Sequence, residues 1–355
     1  MTDLADIFRQ YGNRYVEKYN AQILPSHQKA MHNIINCRTP SLGGQSWRCD
    51  HCGNIHYSYH SCRNRHCPKC QNDRSDQWLQ KQLELLLPIP YFMATITVPK
   101  GLRMLFRSHQ KLCYNLLFRA SVQAIMTLTN DPKYLGADVG MMGVLQTWAR
   151  NLVYHPHIHF LITGGGVTPD GKRWKYASDN FLVHVKPLSI LIRAKFKQAL
   201  NSHPTFLKIP ANVWKQSWVC HIEPVGSGEA ILKYLTPYIF RVAISDKNIL
   251  SCKDGKVSFR YKDAQTKTDR IRTMDVLDFI HTFLQHVLPR GFVKVRYFGF
   301  LATRKRSSLV YIKELINERF ECKKIKSAKK PMTCPHCGHV LIFIAELPRH
   351  RGPPS

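Results

Sequence analysis

Acidic side chains are scarce. Asp and Glu together number 23 against 52 Lys and Arg in 355 residues, a formal net charge of +29. Solubility needs far less charge than this, so the imbalance points to a polyanionic partner, most simply nucleic acid, with an anionic membrane surface as the other fit. Long apolar runs are missing too. The longest, Leu85 to Val98, is interrupted by Pro88 and Pro90 and is too short to span a bilayer. The first residues, Met1 to Asp6, carry two acids and no apolar segment, so no secretory signal is expected and the cytoplasm, at the nucleoid when acting on DNA, is the expected location. The 12 cysteines should then be thiols or metal ligands rather than disulfides. No internal repeat stands out. At 44% hydrophobic and 21% charged residues, the chain can bury a core. Its length suits a catalytic domain with one or two small modules.

Cysteine spacing carries the first chemical signal. Cys49-x-x-Cys52 and Cys67-x-x-Cys70 enclose His56, His60, Cys62 and His66. Each CxxC pair can wrap one side of a tetrahedral ion, so Cys49, Cys52, Cys67 and Cys70 are expected to hold one structural zinc. Cys62 and His66 are alternatives, replacing one of the four or serving a second ion. Arg63, Arg65, Lys69 and Arg74 decorate the cluster and suit contacts to DNA phosphates. Near the other end, Cys334-x-x-Cys337 is half of a second zinc site. His336, His339, His350 and Cys322 are unranked candidates to complete it. The lysine-rich stretch Lys323 to Lys330 reads as a solvated linker or a phosphate grip.

Apolar periodicity predicts helices over Leu4–Tyr19, Ser26–Ile35, Asn72–Leu87, Leu102–Leu128, Leu188–Leu200, Glu229–Arg241, Val276–Leu288 and Leu309–Phe320. Strands are predicted over Tyr91–Val98, Gly143–Ala149, Val153–Ile162, Phe181–Val185, Trp218–Ile222 and Phe292–Phe298, with a hairpin around Asp254-Gly255. The pattern divides into a helical, zinc-binding, DNA-binding module over 1–88, a catalytic domain over 89–320 and a basic tail with CxxC over 321–355. The expected class is α+β.

The second signal is His155-Pro156-His157-Ile158-His159, followed by a glycine run at Gly164 to Gly166. On a strand, alternate side chains share a face, so His157 and His159 point the same way and can hold a divalent metal. A turn at Arg150 to Leu152 would bring Gly143–Ala149 back antiparallel. That register sets Gln146 opposite His157 and makes it a candidate third ligand. On the helix expected over Glu229–Arg241, Tyr234 and Tyr238 share a face. A tyrosine hydroxyl can attack a phosphodiester whose phosphate is polarised by a metal. Pro237 between them should kink the helix.

These segments, together with Cys62 to Gln71, Lys233 to Ser245 and Phe283 to Phe292, occur in an order that resembles the rolling-circle transposases of the insertion sequence ninety-one family, HUH single-strand nucleases. The resemblance spans nearly the whole chain. It implies a nuclease domain with a central antiparallel sheet flanked by helices, and Mg²⁺ or Mn²⁺ at His157 and His159. It also implies nicking and rejoining of single-stranded DNA at the element ends and target through 5′-phosphotyrosine at Tyr234 and Tyr238. The family pattern frequently has His where this chain has Gln146. A plasmid replication initiator or relaxase would share the chemistry. A non-catalytic zinc-dependent DNA-binding protein would explain the charge and the cysteines but neither the histidine strand nor the tyrosines. A metal hydrolase of the amidohydrolase type would need more strands than are present.

Overall fold

The structure is a computed structural model. It describes residues 2–20, 23–70, 85–204, 209–216, 218–227, 242–263, 265–316 and 331–349, with Trp78, Gln82 and Phe206. The class is α+β, with antiparallel sheets flanked by helices.

The largest sheet has six strands. Five form the order β11 (Val295–Phe298), β4 (Asp138–Trp148), β5 (Tyr154–Val167), β3 (Pro90–Thr97) and β7 (Val219–Ser227), and the short β6 (Trp174–Tyr176) pairs with β5. All of these pairings are antiparallel. Strand alternation divides the side chains between two faces. One face presents Phe92, Ala94, Ile96, Ile158, Phe160 and Ile162 to helices Gln110–Asn130 and Val185–Asn201, and this is the main core. The opposite face carries Tyr91, Met93, Met142, Val144 and Leu161, covered by Leu86, Leu87, Leu309 and Ile312. Among the described residues, that cover lies toward one end. The histidines of β5 lie on the same face toward the other end.

Two short sheets hold the remaining described strands. β8 (Ile249–Lys253), β9 (Lys256–Lys262) and β10 (Asp269–Asp275) form a meander, joined at Asp254 and Gly255 by a turn in which both residues have positive φ. The meander and the helix Val276–Leu284 share a core with the N-terminal helices α1 (Leu4–Tyr19) and α2 (Pro25–Ile35). Asp3 caps α1 in a reciprocal box with Asp6, which leaves Leu4, Ile7, Phe8, Tyr11 and Tyr15 as its buried stripe. Phe8 meets Phe283 edge to face at 5.7 Å. The N-terminal helices therefore fold against residues well inside the expected catalytic region.

The third sheet runs β12 (Leu341–Leu347), β1 (Gly44–Cys49), β2 (Ile55–Tyr59). One edge strand comes from the tail, so Leu341–Leu347 is a structural part of the N-terminal module. The stretch Leu102–Leu128, expected as mainly helical, forms Arg103–Ser108 and Gln110–Asn130 with an interruption at His109 (φ −126°, ψ 49°). Phe181–Val185 makes only an isolated bridge from Phe181 to Ser178, and Val185 already starts a helix. The expected helix Glu229–Arg241 lies outside the described residues, as does most of Asn72–Leu87.

Candidate active site and zinc centres

The β4–β5 pairing sets Gln146 directly opposite His157, and Leu152 turns the chain with φ 66°. On the other side of β5, Thr97 faces His157 and Thr95 faces His159. Directly paired residues share a sheet face, so His157, His159, Gln146, Thr95 and Thr97 form one patch. Across β3, His221 pairs with Thr95 and extends the row.

Hydrogen bonds fix how the imidazoles present themselves. His157 donates Nδ1–H to the carbonyl oxygen of His155 at 2.7 Å, since a carbonyl can only accept. That tautomer carries its lone pair on Nε2, the form in which imidazole ligates a metal. His159 Nδ1 lies 3.0 Å from Thr95 Oγ1, and the tautomer that donates there likewise carries its lone pair on Nε2. The two rings meet edge to face with centroids 4.9 Å apart. Burial pushes His157 down to about 4, and burial followed by the charge of His157 pushes His159 down to about 3. Both are therefore neutral near pH 7, as ligands must be. His155, on the same face, receives a bond from Arg103 at 2.7 Å. Two imidazole nitrogens and an amide oxygen suit Mn²⁺, and also Mg²⁺ when water and phosphate oxygens fill the remaining positions.

Eight of the described cysteines gather in two groups, and the grouping corrects the expected ligand set. Cys37, Cys62, Cys67 and Cys70 form one cluster, and Cys49, Cys52, Cys334 and Cys337 form the other, each with sulfurs within 4.8 Å of one another. The two CxxC pairs of the N-terminal region are thus parted. Cys49 closes β1, whose neighbour β12 comes from the tail, while Cys67 and Cys70 are buried with Cys37 in the core around α1 and α2. In the first cluster Cys62 and Cys70 are 3.8 Å apart, the spacing of about 3.8 Å expected for sulfurs at the corners of a zinc tetrahedron. Backbone N–H groups of Cys62 and Asn64 donate to the sulfurs of Cys37 and Cys62, both at 3.5 Å. Hydrogen bonds, first from Cys62 and then from Cys67 and Cys70, hold the Cys37 thiol far below its ordinary value. His66 is not in the cluster; its Nε2 accepts from the backbone of Leu288 at 3.2 Å. In the second cluster His339 stacks on His51 and His336 lies near His56. Cys322 and His350 lie outside the described residues.

A family model described as "Transposase zinc-binding domain" matches residues 7–98, and one described as "Putative transposase" matches 140–308. The chain is 37% identical over 324 residues to "Putative transposase y4qJ" of Sinorhizobium fredii, covering 86% of this chain and 81% of that protein. It is 27% identical over 288 residues to the "Transposase for insertion sequence element IS801" of Pseudomonas savastanoi pv. phaseolicola, covering 76% of this chain and 69% of that one. The chain belongs to the IS91 family of transposases. No solved structure matches it.

The matched transposase region contains β5 and most of β4, including Gln146, His157 and His159. The matched zinc-binding region contains all of the Cys37 cluster but only Cys49 and Cys52 of the other. Zinc here is structural, because four thiolates leave no open position for substrate. Among the described residues of the transposase no helix is long and apolar enough to cross a membrane.

The basic residues around the cysteines divide. Arg65 donates to the Phe292 carbonyl at 2.6 Å, and Lys69 pairs with Asp3 at 2.7 Å. Arg63 is exposed, with φ 54°. Tyr234, Tyr238 and Arg74 lie outside the described residues. Sequence reasoning missed Cys37, which has no nearby cysteine to mark it, and it missed Thr95, whose role depends on β3 lying beside β5.

Proposed function

We propose that this transposase nicks and rejoins single-stranded DNA through 5′-phosphotyrosine intermediates, with Tyr234 and Tyr238 as nucleophiles and His157, His159 and Gln146 holding Mg²⁺ or Mn²⁺. The observation that carries the reading is the sheet patch in which the Nδ1 atoms of both histidines are engaged, turning the metal-binding Nε2 lone pairs away from those bonds. A bound divalent ion would polarise the scissile phosphate there. The tyrosine oxygen then forms a bond to phosphorus, the bond from phosphorus to the 3′ oxygen breaks, and a 3′-hydroxyl leaves. The phosphodiester energy stays in the phosphotyrosine, so rejoining needs no nucleotide cofactor.

The net charge of +29 supports a DNA strand as the substrate.

The test is incubation with single-stranded DNA carrying the element's ends and Mg²⁺, followed by denaturing electrophoresis. A covalent protein–DNA adduct is expected, and changing both tyrosines to Phe should remove it. With one changed, a first nick survives while completed transfer fails. An adduct that persists in the double variant and maps to another residue overturns the assignment.

A further inference from the structure

The two segments that build the second cysteine cluster are copies of one short pattern. Cys49-Asp50-His51-Cys52-Gly53 and Cys334-Pro335-His336-Cys337-Gly338 both read Cys-x-His-Cys-Gly. They also fold alike. The backbone N–H of Gly53 donates to the carbonyl of Cys49 at 2.8 Å, and that of Gly338 donates to Cys334 at 2.8 Å. In return the backbone N–H of Cys49 donates to the carbonyl of Asn54 at 3.0 Å, and that of Cys334 donates to the carbonyl of His339 at 2.7 Å. Both glycines are left-handed, with φ 71° and 76°, a conformation that a residue with a Cβ rarely adopts. Two such turns facing each other bring Cys49 Sγ to 3.4 Å from Cys337 Sγ and Cys52 Sγ to 3.6 Å from Cys334 Sγ.

These separations are near the roughly 3.8 Å between corners of a tetrahedron with zinc–sulfur bonds of about 2.3 Å. Polar side chains also reach the sulfurs. Asn54 Nδ2 donates to Cys52 Sγ at 3.4 Å, and His56 Nε2 lies 3.3 Å from Cys334 Sγ. Four cysteine sulfurs at this spacing suit a soft, tetrahedral ion. The sheet behind them ties both turns down, since Cys49 ends β1 directly opposite Leu341 of β12.

We propose that Cys49, Cys52, Cys334 and Cys337 bind a zinc ion of their own, in a ribbon that fastens the C-terminal strand to the N-terminal module. The transposase then holds two structural zinc ions, and only one is complete within the matched zinc-binding region. The two differ in accessibility. Cys37, Cys67 and Cys70 are buried in an apolar core, whereas Cys52 is exposed and Cys337 half-buried. The ribbon zinc is therefore the one a chelator removes first. Its loss releases β12 without opening the nuclease sheet.

Native mass spectrometry of the full chain should count two zinc ions. The double variant Cys334→Ser, Cys337→Ser should count one, and Cys334→His, which keeps a ligand, should restore two. The variant His51→Ala, His339→Ala should keep two, because the stacked imidazoles lie outside the tetrahedron. One ion in the parent chain, or two in the double Ser variant, overturns the proposal. Should the Ser variant fail to fold, the parent chain still decides. During chelation, Cys49, Cys52, Cys334 and Cys337 should become alkylated together as the first zinc leaves. Labelling of Cys334 and Cys337 with both ions still bound would overturn it.

Discussion

His157 Nδ1 lies 2.7 Å from the carbonyl oxygen of His155, two residues back on the same strand. Strand geometry alone supplies this bond, and it leaves the ring in the tautomer that a metal requires. His157→Ala should therefore lose single-strand cleavage by on the order of a thousandfold or more, the scale of several kcal/mol of charge stabilisation. Affinity for single-stranded DNA should change little, because phosphate contacts elsewhere carry it. Gel-based cleavage and fluorescence anisotropy on the same oligonucleotide separate the two. Cleavage at the parent rate would remove His157 from the site.

Thr95 does for His159 what a backbone carbonyl does for His157, at 3.0 Å. Thr95→Val keeps the shape and removes the oxygen. Loss of such a supporting partner weakens metal binding roughly 10–100-fold. The variant should need correspondingly more Mn²⁺ for half-maximal cleavage and recover most of its rate at saturation. A Mn²⁺ titration that superimposes on that of the parent chain would show that the hydroxyl does not support the ligand.

Local pattern made part of this site readable. The register that sets Gln146 across from His157 follows from a short turn between two apolar strands, because strand pairing near a turn is nearly symmetric about it. The cysteine grouping was not readable in the same way. A CxxC pair says that two sulfurs face one point, but not which other pair arrives there. That choice is made when β12 pairs with β1, a contact between distant parts of the chain. The shared Cys-x-His-Cys-Gly string was the available signal. Cys37 has no such companion, and only the packing of α2 against the Cys67–Cys70 turn brings it in.

Acid should unfold the transposase through its buried neutral histidines. His286 is 1% exposed, with Nδ1 3.3 Å from Thr147 Oγ1 and Nε2 3.0 Å from the Leu152 carbonyl. Burial pushes it down to about 4, and burial does the same to His27. An unfolded histidine titrates near 6.5, so between about 6.5 and 4 the unfolded state binds more protons than the folded one. Stability is then flat above about 7 and falls as the pH drops through that window. His286 alone would account for up to about 3 kcal/mol, at about 1.4 kcal/mol per pH unit. Urea melts from pH 7.5 to 5, with zinc content checked at each pH, should show the fall. His286→Gln should be less stable at pH 7.5 yet lose less on acidification. Equal acid slopes in the two proteins would rule out His286 as a contributor.

The arginines beside the Cys37 cluster should separate into a binding residue and a folding residue. Arg63 is exposed, whereas Arg65 spends a donor on the Phe292 carbonyl at 2.6 Å and joins the cysteine turn to the strand-bearing region. Each phosphate neutralised on a single strand contributes about 0.7 to the slope of log affinity against log salt. Arg63→Ala should lower single-strand affinity and make that slope shallower by about one contact, with melting unchanged. Arg65→Ala strands a carbonyl acceptor and should cost about 1–3 kcal/mol of stability, with the salt slope preserved. Lys69→Ala should lie nearer to Arg65→Ala, because its ammonium is already paired with Asp3 at 2.7 Å. Salt titrations of oligonucleotide binding, run beside thermal melts on all three variants, test the division. It fails if Arg65→Ala melts like the parent chain and flattens the salt dependence as much as Arg63→Ala does.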